Sequence, residues 1–138
     1  MTPRPFGAAA AAALALLLAA CSGDATEEPE TAFVSGTITV AAASSGQYIT
    51  GKCTAADGFE DVHTGAQITL LDSDGAVVAL GELEKGRNNN SKECFFKFTI
   101  ADVPLGYKFY SVDVGNAFRG VYTIAESELA KYHSLYIG

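Results

Sequence analysis

The sequence contains few of the side chains on which metal centres and hydrolases depend. Its only histidines, His63 and His133, are widely separated and have no nearby cysteines, so we expect no metal centre. A type-one copper site would also need an axial methionine in most cases, and the only methionine is Met1. There is no Gly-x-Ser-x-Gly nucleophile elbow and no glycine-rich phosphate loop. We therefore expect no cofactor and predict that the chain is not an enzyme.

Two adjacent carboxylates, Glu60 and Asp61, are the strongest remaining argument for catalysis. A pair of carboxylates can supply the acid and the base of glycoside hydrolysis. Neighbouring side chains on an extended segment point in different directions, however, so surface solvation explains this pair better. An enzyme that acts on envelope polymers through carboxylates stays as an alternative.

The same carboxylates belong to a loop that could bind a partner. Asp57, Phe59, Glu60 and Asp61 place an aromatic ring among acids, and Arg119 lies on a different turn. Loops on a rigid framework commonly carry recognition, so these five residues form our predicted binding surface. The alternative is that Phe59 packs over the edge of the core.

The segment that begins at Asp72 resembles the start of an EF-hand loop, with Asp74 two residues later. The glycine arrives too early for such a loop, and Leu83 occupies the position of the twelfth ligand. The pattern Asp-x-Asp-Gly between two apolar runs instead predicts a hairpin turn.

The N-terminal region has the three parts of a secretion signal. Arg4 provides a positive charge, residues 6–18 form an uncharged apolar stretch, and small residues precede Cys21. The stretch Leu18-Ala19-Ala20-Cys21 resembles the lipobox of bacterial lipoproteins, in which the cysteine receives a lipid and becomes the new N-terminus. The resemblance implies a signal peptide over residues 1–20 and a lipid on Cys21 that attaches the protein to the outer side of the cell membrane. A transmembrane helix is the alternative.

The charge balance limits the partners of the processed chain. The sequence has 9 basic and 16 acidic residues, a formal net charge of −7. Loss of Arg4 with the signal would lower this charge by one, so nucleic acid and anionic lipid surfaces are unsuitable partners. Residues 22–32 are polar and acidic and predict a flexible tether, so residues 21–32 would join the membrane to a folded domain at 33–138.

From Phe33 onward, short apolar runs with a period of two alternate with glycine-bearing turns, which is typical of a β-sandwich or barrel. Thr123 followed by Glu126 forms a capping-box pattern that predicts a short helix over residues 124–131. A change of phase near Phe109 predicts a β-bulge. The predicted strands are residues 37–40, 46–53, 67–70, 77–83, 94–100, 107–114, 118–124 and 135–137. A polar loop is predicted at 85–92 and a turn at 103–106.

The two cysteines beyond the lipobox are predicted to form a disulfide. Cys94 shares one face of a strand with Phe96, Phe98 and Ile100, and Cys53 ends another strand. Once Cys21 carries a lipid, only these two thiols remain, in a compartment that permits oxidation. A reactive thiol or a metal-binding thiolate is the alternative.

Two wider resemblances follow from these motifs. The run from Gly65 to Gly75, with the later aromatic strand, is similar to transthyretin-like and carboxypeptidase-regulatory-like sandwich domains. The whole processed chain also resembles small lipoproteins of high-GC Gram-positive bacteria, the actinobacteria, although Ala55 stands where their pattern has glycine. Neither resemblance implies an activity. The residues that carry them are Ile68, Leu70, Asp72, Phe96, Phe98, Val103, Pro104, Gly106, Tyr110 and Val112 for the first, and Cys53, Gly58, Phe59, Asp61 and Cys94 for the second.

The sequence thus predicts an all-β immunoglobulin-like or transthyretin-like sandwich of about seven to eight strands with one short C-terminal helix. The predicted function is that of a lipid-anchored binding or protein-interaction module at the cell envelope, with an envelope protein as partner. A structural accessory subunit of an envelope complex is a further alternative.

Overall fold

The computed structural model describes residues 27–43, 53–88, 92–115 and 119–138. These ranges contain eight strands and one 3-10 turn, Glu126–Glu128. No helix in the described ranges is long and apolar enough to cross a membrane. The strands are β1 Thr31–Ala41, β2 Gln67–Leu71, β3 Val77–Glu82, β4 Arg87–Asn88, β5 Glu93–Pro104, β6 Phe109–Val114, β7 Tyr122–Ala125 and β8 Tyr132–Ile137.

The strands form two four-stranded sheets that pack as a sandwich. The first sheet has the order β4-β5-β1-β8, and the second has the order β3-β2-β6-β7. Every neighbouring pair is antiparallel except β1 and β8, which run parallel. The predicted all-β sandwich is therefore confirmed, with the first and the last strand side by side.

The core lies between the sheets and follows the period of two along each strand. On β5, Cys94, Phe96, Phe98 and Ile100 are all buried while Lys97 is exposed, as the alternation predicted. The remaining core side chains of the strands are Val34, Ile38, Val40, Ile68, Leu70, Val103, Tyr110, Val112, Val114, Ile124, Leu135 and Ile137.

One position in β1 requires the absence of a side chain. A Cβ on Gly36 would lie 2.2 Å from the carbonyl oxygen of His133 and 2.8 Å from the Phe98 ring. Gly36 is paired with Phe98 on one side and with His133 on the other. Glycine therefore allows β5, β1 and β8 to pack closely in the middle of the first sheet.

The two long sides of the sandwich differ. On one side, the segment that follows β3 pairs with β5. Leu83 forms a bridge with Phe98, and the Glu84 N–H donates to the Lys97 carbonyl at 2.8 Å. On the other side β7 and β8 are the edge strands of their sheets. The sandwich is thus closed along the β3–β5 side and has two strand edges along the other.

The sheets have no register shift at the place where the sequence predicted a bulge. β6 begins at Phe109 and pairs in continuous register with β7, so the bulge predicted near Phe109 is wrong. The register shifts in two other strand pairs: between Leu70 and Leu71 where β2 pairs with β3, and between Ala32 and Val34 where β1 pairs with β5 and Asp102 has a φ of 54°. The extra residue keeps β5 paired to β1 as far as Pro104, beyond the start of the turn predicted at 103–106.

The predicted C-terminal helix is replaced by the 3-10 turn. Thr123 belongs to β7, and the turn has no side-chain cap. The Glu126 carboxylate instead accepts hydrogen bonds from the Gly106 N–H at 2.6 Å and the Tyr110 hydroxyl at 2.9 Å. Because this carboxylate binds the β5–β6 connection, it is not available for a capping box.

The hairpin turn predicted at Asp72 is present. The Asp72 carboxylate accepts hydrogen bonds from the backbone N–H groups of Asp74 and Ala76, each at 2.9 Å. It thus stabilises the turn between β2 and β3.

Several predictions fall wholly or partly outside the described residues. These are the signal segment, Cys21, residues 22–26 of the tether, the strand predicted at 46–53 except Cys53, residues 89–91 of the polar loop, and Phe118. The tether boundary differs slightly, because β1 already begins at Thr31. The polar loop predicted at 85–92 contains the short strand β4.

Candidate functional site

The predicted disulfide is present between Cys53 and Cys94, whose Cα atoms lie 5.5 Å apart. Cys94 is fully buried at the start of β5, and Cys53 is half-buried at the start of the loop that carries Phe59. The Asn88 amide of β4 donates to the Cys53 sulfur at 3.5 Å. The bond therefore attaches the start of this loop to the first sheet.

Arg119 contacts two of the other predicted binding residues, Phe59 and Asp61, and the backbone of Gly58 between them and Asp57. Its Nη1 lies 2.5 Å from the Asp61 carboxylate, and its Nη2 donates to the Gly58 carbonyl. The centre of the guanidinium lies 5.0 Å from the centroid of the Phe59 ring, within the range of a cation–π contact. Arg119 therefore holds residues that are about 60 positions away in the sequence.

This cluster is largely withdrawn from solvent. The side chains of Arg119 and Asp61 are only 18% and 12% exposed. Phe59 is half-buried and packs against the core, as the alternative for Phe59 predicted. A Cβ on Gly115 would lie 2.1 Å from an Asp61 carboxylate oxygen, so the glycine at the end of β6 leaves space for this carboxylate.

The two other predicted loop residues are exposed. Asp57 lies in a turn, and the Glu60 carboxylate accepts a hydrogen bond from the Gly58 N–H at 3.0 Å. Backbone N–H groups, chiefly that of Gly58, lower the pKa of Glu60 because they stabilise the ionised form. Glu60 therefore helps to shape the loop and stays charged at neutral pH.

The histidines lie on separate elements. His63 is exposed beside Thr64, and His133 is half-buried on β8. In the described part of the chain, no group of three or more His, Cys, Asp or Glu side chains is arranged to hold a metal ion.

A cleft of about 280 Å³ opens beside the Arg119 cluster, at the side where β7 and β8 are the edge strands. The Tyr122 hydroxyl donates to the Tyr136 carbonyl and so links the two edge strands. The cleft is lined by Phe59, Val114, Arg119, Gly120, Tyr122, Tyr136, Ile137 and Gly138. Its wall consists mainly of aromatic and aliphatic side chains, and its arginine is already ion-paired.

Sequence reasoning found only Phe59 and Arg119 among these lining residues. Tyr136 alternates with the buried Leu135 and Ile137, so the period of two could have shown that its ring faces outward. Nothing in the sequence could place Tyr122 beside it, because that contact depends on how the two sheets pack.

The cleft lies at the end of the sandwich opposite to the N-terminal entry of the chain. β1 starts at Thr31, and the neighbouring Glu30 carbonyl accepts a hydrogen bond from the Leu105 N–H. Ile137 is paired with Val40, nine residues further along β1, which corresponds to about 30 Å. We call the Thr31 end the tether end and the Ile137 end the distal end.

No family model matches the chain, and comparisons with curated proteins and with solved structures give no match either.

Proposed function

We propose that the protein is a lipid-anchored binding module on the outer side of the cell membrane, and that it recognises its ligand at the distal cleft. The signal pattern that ends at Cys21 supports the anchor. A sandwich of about 100 residues on a polar tether is suited to presenting a surface at some distance from the membrane.

The observation that carries this proposal is the cleft between Phe59, Tyr122 and Tyr136. Binding sites are commonly concave and apolar, with a few fixed polar groups. Arg119 fixes the Phe59 loop through Asp61, so part of the wall is preorganised. Because the tether joins the opposite end, the cleft would face away from the membrane.

The chemistry of the two carboxylates supports a role without catalysis. The pKa of Glu60 is lowered, whereas a general acid needs a raised one. Asp61 is ion-paired with Arg119, so its carboxylate is already engaged. Both groups are thus better suited to fixing the loop than to moving protons.

The proposal is tested by placing a photo-crosslinking benzophenone amino acid at Tyr136 in the native cells. The matched control position is Leu80, which is 56% exposed on β3 of the second sheet, against 57% for Tyr136. We expect crosslinked products of higher mass from the Tyr136 position, as discrete bands for a protein ligand or as a smear for a polymer, and none from Leu80. Equal crosslinking at both positions, or none at Tyr136, would contradict a recognition site at the cleft.

A further inference from the structure

The outer face of the first sheet continues from the cleft along Tyr136 and has an unusual composition. Its three central rows follow from the registers of β5, β1 and β8. We call the nine side chains of these rows the hydroxyl face. They are Phe95, Thr39 and Tyr136 in the first row, Lys97, Thr37 and Ser134 in the second, and Thr99, Ser35 and Tyr132 in the third.

Seven of these nine side chains carry a hydroxyl group, and Lys97 is the only charged one. Threonine and tyrosine favour strands in general, so their presence alone does not indicate a ligand. No carboxylate belongs to these nine side chains, and the two charged residues that flank them, Arg87 on β4 and Glu93 on β5, have opposite signs. The face is therefore a nearly neutral area on an acidic protein.

The two tyrosines of the hydroxyl face expose much of their rings. Tyr132 is 58% and Tyr136 is 57% exposed, and the hydroxyls of Tyr132 and Thr37 are hydrogen-bonded to each other. Four residues along β8 separate the two Cα atoms by about 13 Å, and three strands give the face a width of about 10 Å. Exposed aromatic side chains that share one face can form a surface for binding another molecule.

We propose that the hydroxyl face and the adjoining distal cleft bind a neutral polysaccharide strand. A sugar ring has a face of C–H groups that packs on an aromatic ring and a rim of hydroxyls that exchange hydrogen bonds with Ser, Thr and Tyr. A neutral strand fits because the acidic surface elsewhere repels anionic polymers, and because Arg119, the charged side chain among the described lining residues of the cleft, is paired with Asp61. This inference rests on the proposed binding function and specifies its ligand class.

The test is affinity electrophoresis of the full-length chain in gels that contain a soluble glucan, mannan, galactan or xylan. Polygalacturonate serves as the acidic comparison. We expect retardation by at least one neutral polymer and none by polygalacturonate. The double variant Tyr132→Ala/Tyr136→Ala should weaken binding at least tenfold, while Leu80→Ala on the other sheet should bind as the wild type does.

Unfolding midpoints of all variants show whether a loss of binding reflects a loss of folding. No retardation by any neutral polymer, or unchanged retardation of a folded double variant, would overturn the glycan proposal. If polysaccharide binding is absent while crosslinking at Tyr136 captures a protein, the binding module stands and its ligand is a protein. If both experiments are negative, the proposed function fails as well.

Discussion

Arg119 shows how one side chain can organise a loop that sequence analysis identified only by its composition. The guanidinium contacts Asp61, the Gly58 carbonyl and the Phe59 ring together. An arginine in a planar, multidentate arrangement of this kind is not replaceable by lysine. The Phe59 loop and the cleft wall therefore depend on a residue about 60 positions later in the sequence.

We predict that Arg119→Ala lowers the stability of the fold by about 1–3 kcal/mol, because it leaves the largely buried Asp61 carboxylate without its main partner. At about 100 residues this corresponds to a fall of the thermal midpoint by about 4–8 °C per kcal/mol. Lys131→Ala is the matched control, since its pair with Glu128 is exposed by 68% and 50%. Equal midpoint losses for both variants would contradict the role assigned to Arg119.

A second cluster of interacting residues surrounds Tyr110 at the tether end. Its hydroxyl lies 2.8 Å from the Pro104 carbonyl and 2.9 Å from the Glu126 carboxylate, so one hydrogen lies between two acceptors. A tyrosine near the start of a strand that binds the backbone a few residues upstream resembles the tyrosine corner of immunoglobulin-like sandwiches. Burial, together with the Glu126 carboxylate, raises the pKa of Tyr110 to about 12.

This raised pKa predicts an alkaline loss of stability. The stabilising contribution of Tyr110 is fully present below pH 10, the value of the unfolded chain, and is lost as the pH rises towards 12. Urea unfolding of the wild type should therefore show falling stability between these limits. Tyr110→Phe should be less stable at pH 8 and should lose less on going to pH 11; parallel curves for the two proteins would count against this linkage.

Glu126 should produce the opposite response in acid. The Gly106 N–H, and after it the Tyr110 hydroxyl, lower the pKa of Glu126 below its ordinary value of 4.5. Its contribution is thus present above about pH 4.5 and is lost as the pH falls through the lower value of the folded state. Glu126→Gln keeps the acceptor oxygen but cannot titrate in this range, so its acid unfolding curve should be flatter than that of the wild type. An identical acid dependence would show that other carboxylates dominate.

At the scale of elements, the disulfide connects the Phe59 loop to β5 in the first sheet. Closing a loop across a separation of 41 residues stabilises the fold by about 4 kcal/mol in the chain-entropy model, which is an upper value. We expect reduction to lower the unfolding midpoint and to increase the mobility of the Phe59 loop. Alkylation of the denatured protein should add labels at Cys53 and Cys94 only after reduction, and labels at both without reduction would contradict the bond.

Strands were predictable from the sequence where one face of the strand is buried and the other is exposed to solvent. The alternation of β5 identified Phe96 and Phe98 as core residues, because the period of two leaves one arrangement that buries both. The capping-box prediction was wrong for a different reason. Thr123 and Glu126 have the correct spacing, but Glu126 binds Gly106 across the tether end, and a contact between distant elements overrides a local motif.

The candidate site was predictable only in part. The sequence indicated Phe59, Asp61 and Arg119 as unusual, yet it could not show that Arg119 pairs with Asp61 or that Phe59 packs against the core. The cleft itself forms where two edge strands from different sheets meet, at Tyr122 and Tyr136. Such a site depends on sheet order, which local patterns do not determine.

At the scale of the whole molecule, the parallel pairing of β1 and β8 has a consequence for orientation. It places the last strand beside the first, with its distal end about 30 Å from the point where the tether enters. In a lipid-anchored protein, the Tyr110 cluster would then be near the membrane and the cleft far from it. Polymers of the envelope would then be within reach of the cleft and the hydroxyl face.

This arrangement depends on the proposed lipid at Cys21. We predict that Cys21→Ser prevents lipid attachment and leaves the signal uncleaved by the lipoprotein peptidase, because that enzyme acts on the lipid-modified cysteine. The variant should keep the mass of the precursor and incorporate no labelled fatty acid. Cys53→Ser is the control, since loss of the disulfide changes stability but should not change fatty-acid labelling. Fatty-acid labelling that persists in Cys21→Ser would refute the anchor and, with it, the outward orientation of the cleft.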